Sequence, residues 1–194
     1  MLDISGLVLT TGPTTEPVTL EEAKQHLRLE VSDDDDYVTG LIVAARLLVE
    51  RMQKRALYTQ TYTLKLDDFP GDEFRVPRPP LQSVSSITYL DTSGVSQTLA
   101  TSIYGVDTSS EPGRIYLKYG QTWPNVYYDP FAVTITYLAG YSTVAAIPAT
   151  TKQAIKMWAA HLYEERTPVT SVSANALPFA LESLIAVDAA GWIW

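Results

Sequence analysis

The stretch LVERMQKRALYTQTYTLKL, residues 48–66, changes its period halfway along and decides the fold. Upstream of it and into it, Tyr37, Leu41, Ala44, Ala45, Leu48 and Met52 recur at helical spacing, and Val38, Ile42 and Val49 widen the stripe. Downstream, Tyr58, Gln60, Tyr62, Leu64 and Leu66 alternate with Thr59, Thr61, Thr63 and Lys65, the signature of a strand with one buried face. The spacing predicts a helix over about 34–55 followed by a strand over about 58–66. Ser32-Asp33-Asp34-Asp35 places carboxylates at the positive end of that helix. Arg51, Lys54 and Arg55 suit its negative end.

Working outward, Thr19-Leu20-Glu21-Glu22 matches a capping box, with Pro17 blocking any extension upstream. Leu20, Ala23 and Leu27 then predict a short helix over about 20–29. After the strand, Ser86–Leu90 and Val95–Leu99 flank Asp91-Thr92-Ser93-Gly94 and read as a hairpin. Glu111-Pro112-Gly113-Arg114 carries Pro and Gly where a type II turn wants them. Strands are also expected at 114–118 and 132–138, giving about five or six, mainly antiparallel. Pro77, Pro79, Pro80, Pro124 and Pro130 suit edges and loops.

The helical period returns at the C-terminal side. Thr150-Thr151-Lys152-Gln153 is a second match to the capping box, and Ala154, Ile155, Trp158, Ala159 and Leu162 form a stripe flanked by Met157 and His161. Thr167-Pro168 ends that helix, and residues 168–176 read as a flexible linker. Pro178 opens a last short helix carrying Phe179, Leu181, Leu184 and Ile185, which Gly191 stops. The expected fold is α+β: a small bundle of about four helices with an antiparallel β insertion between the second and third. Residues 1–57 form the N-terminal helical part, 58–147 the β insertion, and 148–194 the C-terminal helical part and tail.

Composition narrows the function. The 194 residues carry a formal net charge of −8, with 14 Lys and Arg against 22 Asp and Glu, and the acids are spread along the whole chain. A protein that grips nucleic acid needs a clustered positive field, and the only basic cluster is Arg46, Arg51, Lys54 and Arg55. The absence of cysteine excludes disulfides and thiolate metal sites. No apolar run reaches the length of a membrane span, and the N-terminus does not read as a signal peptide, so synthesis in a reducing cytoplasm is expected.

Enzyme motifs are missing. From Asp33, the Gly and Glu of a calcium loop would fall on Val38 and Ala44, so Asp33–Asp36 reads as a solvated helix start. His26 and His161 are too few for a metal set, and no nucleophile elbow, P-loop or dinucleotide fingerprint occurs. No catalytic residue, metal or cofactor is expected.

What remains are surfaces. Tyr116, Tyr119, Trp123, Tyr127, Tyr128, Tyr137 and Tyr141 crowd one span and suit either sheet packing or a subunit interface. Arg46, Arg51, Lys54 and Arg55 suit a solvated face or pairing with acids of a neighbouring copy. Trp192, Ile193 and Trp194 end the chain as large apolar groups, to be buried on the same chain or on a partner. The interface candidates are these four cations, Trp123, Tyr127, Tyr128, Phe179, Trp192, Ile193 and Trp194.

Several segments taken together resemble the bacteriophage head-tail connector (adaptor) family. They are Pro17-Val18-Thr19-Leu20-Glu21-Glu22-Ala23-Lys24, Thr59-Gln60-Thr61-Tyr62, Pro79-Pro80-Leu81-Gln82-Ser83-Val84, Glu111-Pro112-Gly113-Arg114-Ile115, Gln121-Thr122-Trp123-Pro124 and Leu138-Ala139-Gly140-Tyr141. The pattern continues through Pro148 and Gln153 to His161-Leu162-Tyr163-Glu164, and in all covers about 17–186 in order. The resemblance implies a structural virion protein of the neck, made in the host bacterial cytoplasm, with relatives in prophages and gene transfer agents. It implies a homo-oligomeric ring of about twelve subunits between the portal protein and a stopper or tail-completion protein. DNA passes through such a ring without specific binding, and no membrane is involved. Another neck component, such as a stopper or tail-completion protein, is the first alternative. A small hydrolase or sugar-binding module is the second.

Overall fold

The computed structural model describes residues 6–165 and 179–190, with the side chains of 179 and 180 left out. These residues form two compact units: a helical unit of 14–58, 143–165 and 179–189, and a sheet unit of 6–13, 59–142 and 190.

The helical unit holds α1 (Leu20–Leu27), α2 (Asp35–Gln53), α3 (Ala149–Glu164) and α4 (Phe179–Val187). The first capping box is realised: the Glu22 N–H donates to Thr19 Oγ1 at 3.2 Å, and the Thr19 N–H to Glu22 Oε2 at 2.9 Å. Helix α2 stops at Gln53, short of the expected end, because Lys54 turns left-handed at φ 55° and returns its N–H to the Glu50 carbonyl. Asp34 offers no side-chain cap to α2. Its carboxylate accepts the Tyr163 hydroxyl instead.

The second capping box does not form. Pro148, with φ already set near −53°, occupies the N-cap of α3, so Thr150 and Thr151 lie inside the first turn. Both hydroxyls donate to the Asp188 carboxylate, Thr151 at 2.9 Å. That places an anion at the positive end of α3.

Buried in the helical unit are Val38, Ile42, Ala45 and Val49 of α2, Ala154, Ile155 and Ala159 of α3, and Leu181 and Ile185 of α4, with Val18, Ala23 and Leu57. Gln53 lies inside this apolar set. Its amide N–H groups donate to Thr151 Oγ1 at 3.1 Å and to the Ile185 carbonyl at 3.3 Å, so one buried side chain ties α2 to α3 and α4. Glu50 is buried as well: Oε1 accepts the Leu57 N–H and Oε2 accepts Arg46 Nη1, each at 2.9 Å.

The sheet unit holds β1 (Leu7–Thr11), β2 (Gln60–Leu66), β3 (Glu73–Arg75), β4 (Leu81–Leu90), β5 (Ser96–Thr98), β6 (Tyr104–Asp107), β7 (Arg114–Leu117) and β8 (Val133–Ala139). They form an antiparallel sheet in the order β1-β2-β8-β4-β5 and a second of β3-β7-β6. Eight strands among the described residues exceed the five or six expected. β1, β3 and β6 are too short to show alternation, and two register shifts against β8 hide the first half of β4. The β2–β8 register puts Tyr62 opposite Tyr137 and Leu64 opposite Ile135 on one buried face. The two tyrosine rings stack 5.8 Å apart, and the Tyr137 hydroxyl donates to the Pro77 carbonyl at 3.0 Å.

The turn at 111–114 is not type II, since Gly113 does not take the positive φ that a type II turn requires. Glycine is needed there for space: a Cβ would stand 2.5 Å from Leu81 Cβ and 3.0 Å from the Asp107 carbonyl. On the β6–β7 hairpin, Asp107 accepts from the Ser109 hydroxyl and N–H, from Arg114 and from Ser110. In that order, these bonds hold its carboxyl well below the usual carboxylate range.

Two outcomes follow from these contacts. Glu50→Ala strips a buried guanidinium of one partner and leaves the Leu57 N–H unpaired. It should cost about 3 kcal/mol in urea unfolding, whereas Glu50→Gln, which keeps an acceptor, should cost clearly less. Asp107 has a folded pKa below its unfolded value of about 3.9, so its contribution is present above that pH and drains away as pH falls below it. Asp107→Asn should flatten the acid limb of the stability curve below about pH 4 in thermal unfolding.

Candidate functional site

The loop from Lys118 to Ala132, between β7 and β8, sorts the aromatic run into two kinds. Trp123 is an anchor. Its ring stacks on Phe69 with centroids 4.5 Å apart and planes 3° from parallel, with Phe74 alongside at 6.2 Å. Its indole N–H donates to the Gly71 carbonyl at 2.7 Å. Tyr137 lies in the core, and Tyr141 is half-buried. Tyr119 and Tyr128 instead stand fully in solvent, and Tyr127 and Phe131 are nearly half exposed.

The exposed rings sit on a fixed backbone. The Tyr127 N–H donates to the Leu90 carbonyl at 2.9 Å, and Phe131, at φ 62°, donates its N–H to Asp67 Oδ1 at 2.9 Å. A non-glycine residue at that φ is uncommon and holds only where neighbours determine it. Asp67, Asp68, Val126, Tyr127, Tyr128, Asp129 and Pro130 line a cleft of about 280 Å³ here. Asp67, Asp68, Asp129 and Phe131 did not stand out in the sequence. The aspartates carry no periodic signal, and only the structure brings residues 67 and 129 together.

The four cations separate too. Arg46 is 5% exposed, with Nε on Glu16 Oε2 at 2.7 Å and Nη1 on Glu50. It is a core residue paired within its own unit, which corrects the expectation of a surface role. Arg55 Nε donates to the Asp188 carbonyl at 2.5 Å. Arg51 is exposed in the last turn of α2, Lys54 is half-buried just beyond it, and Leu47 is exposed one turn earlier on the same stripe. Phe179 opens α4. Its side chain, Trp192, Ile193 and Trp194, and the linker at 168–176 lie outside the described residues. Among the described residues no set of His, Asp and Glu is placed to hold a metal, and no helix is long and apolar enough to cross a membrane.

The anchor and the exposed rings should behave oppositely on truncation. Trp123→Ala should cost about 2 kcal/mol or more in chemical denaturation, because it removes both the stack and the hydrogen bond. Tyr128→Ala should stay within about 0.5 kcal/mol of the unmodified chain.

Three solved chains share this architecture. Two come from structures described as the virion of a native gene transfer agent particle and the neck of an empty particle computed with C6 symmetry. They are 22% and 24% identical in sequence, with TM-scores of 0.78 and 0.80. The third, from the neck of a native particle computed with C12 symmetry, is 23% identical with a TM-score of 0.75. Each alignment covers 97% of this chain and 97% of the other. A comparison with curated proteins gives no match. The head completion protein family matches residues 16–177, which take in α1 to α3 and every strand after β1. The chain therefore belongs to the head completion protein family.

Proposed function

We propose that this chain is a structural neck protein of a tailed phage or gene transfer agent particle, an adaptor that forms a ring on the portal. The observation that carries this reading is the family match over residues 16–177, joined to a fold shared end to end with chains of particle necks. The C6 and C12 symmetries of those necks support a ring of repeated subunits here. The ring stands between the portal and a stopper or tail-completion protein, and DNA passes through its lumen.

The chemistry of the chain supports the same role. Its net charge of −8 gives a ring that repels DNA on average, which suits passage without grip. Its conspicuous side chains are exposed aromatics on a fixed loop and cations on a helix end, groups that suit protein contact and perform no turnover. Trp192, Ile193 and Trp194 are assigned to docking on the portal or a neighbouring subunit.

The test is binding order. Mixed with purified portal rings and imaged by electron microscopy, the chain should add a collar directly to the portal, without any other neck protein. Binding only after another component is in place would assign it to the stopper or tail-completion position instead. Deleting Gly191–Trp194 should leave the fold intact by circular dichroism and reduce collar occupancy. Full occupancy would remove the role given to the tail.

A further inference from the structure

A ring closed by one repeated contact needs two different patches on each subunit that fit one another. The described surface offers such a pair. One is concave: the cleft walled by Tyr127 and Tyr128 and rimmed by Asp67, Asp68 and Asp129, with no cation among its lining residues. The other is the C-terminal end of α2, where Leu47 and Arg51 lie one turn apart on one face, half exposed and exposed, and the half-buried Lys54 follows just beyond the helix end.

We propose that the aromatic cleft of one copy receives the α2 end of the next, with its Leu47, Arg51 and Lys54, and that this contact closes the ring. Charge complementarity is the ground for choosing a second copy as the occupant. Copies of a chain at −8 repel one another, so a self-contact that brings opposite charges together locally is favoured. Asp67 and Asp68 each spend one carboxylate oxygen on a backbone N–H, of Phe131 and Phe69, which leaves the other for an incoming cation. The Tyr127 and Tyr128 rings add faces on which a guanidinium stacks. Arg46 and Arg55 are spent within their own unit, so Arg51 and Lys54 are the members of the basic cluster left to serve. The inference rests on the ring reading given above and names its contact.

The chain contains no cysteine, so a designed pair reports cleanly. Arg51→Cys with Tyr128→Cys, assembled on portal rings and oxidised, should give a ladder of disulfide-linked multimers rising to the closed ring. Each single variant, and Arg51→Cys paired with Ser93→Cys on the exposed β4–β5 turn, should give no ladder. Separately, Asp129→Lys and Arg51→Glu should each lower ring formation at least tenfold at low salt, and the two together should restore it. Rings that form normally without a ladder, or single charge variants that assemble like the unmodified chain, would overturn the pairing and leave the ring standing. An unmodified chain that forms no ring on the portal would overturn both.

Discussion

Glu50 organises the C-terminal end of α2, and the rest of the helical unit depends on that end. The chain leaves α2 after Gln53 and enters β2 at Gln60, and that passage contains backbone groups that neither element satisfies. One carboxylate resolves it. Its first oxygen takes the Leu57 N–H beyond the helix end, and its second takes Arg46 one turn back along α2. Arg46 is held from the other side by Glu16, which precedes α1. Three segments of the helical unit, the stretch before α1, the last turns of α2 and the residues just after it, thus meet at one ionic cluster. Such a cluster adds little net stability against well-packed apolar residues, but breaking one member is costly.

Much of the helical unit was legible because its signals are periodic and its apolar stripe faces one core. α2 and α3 follow the stripe, and the first capping box forms as written. The second fails through competition, since Pro148 takes the cap position and Asp188 claims both threonine hydroxyls. Arg46 could have been placed from the sequence. It shares the face of Ile42, Ala45 and Val49 and stands four residues from Glu50, a spacing that makes a helical ion pair. Its nearness in sequence to Arg51, Lys54 and Arg55 instead groups Arg46 with a basic cluster that it does not share, since it is buried on Glu16 and Glu50.

The sheet unit was less legible for a different reason. Strand signals depend on alternation, and alternation fails in strands of three to five residues such as β1, β3 and β6. It also fails where the register slips, as in β4 between Leu81 and Ser83 and again between Val84 and Ser86. The candidate surface was visible only in part. The tyrosines announced themselves, but three aspartates become one feature only through pairing of β2 with β8, which brings residues 67–68 and 126–130 to the same end of the sheet.

The same loop shows how a sheet protein separates stability from contact. Trp123 faces inward, stacked on Phe69 and bonded to Gly71, so the loop has a rigid foot. Tyr128, five residues on, contributes nothing to that foot and is fully exposed. Because the foot holds the backbone, a partner that met the rings would order few degrees of freedom, with much of the association cost for this loop already met on folding. A flexible tyrosine loop of equal area would bind more weakly. The left-handed Phe131, tied to Asp67, belongs to the same arrangement: it is a strained residue whose hydrogen bond turns the chain back into β8 and leaves the aromatic tip standing outward.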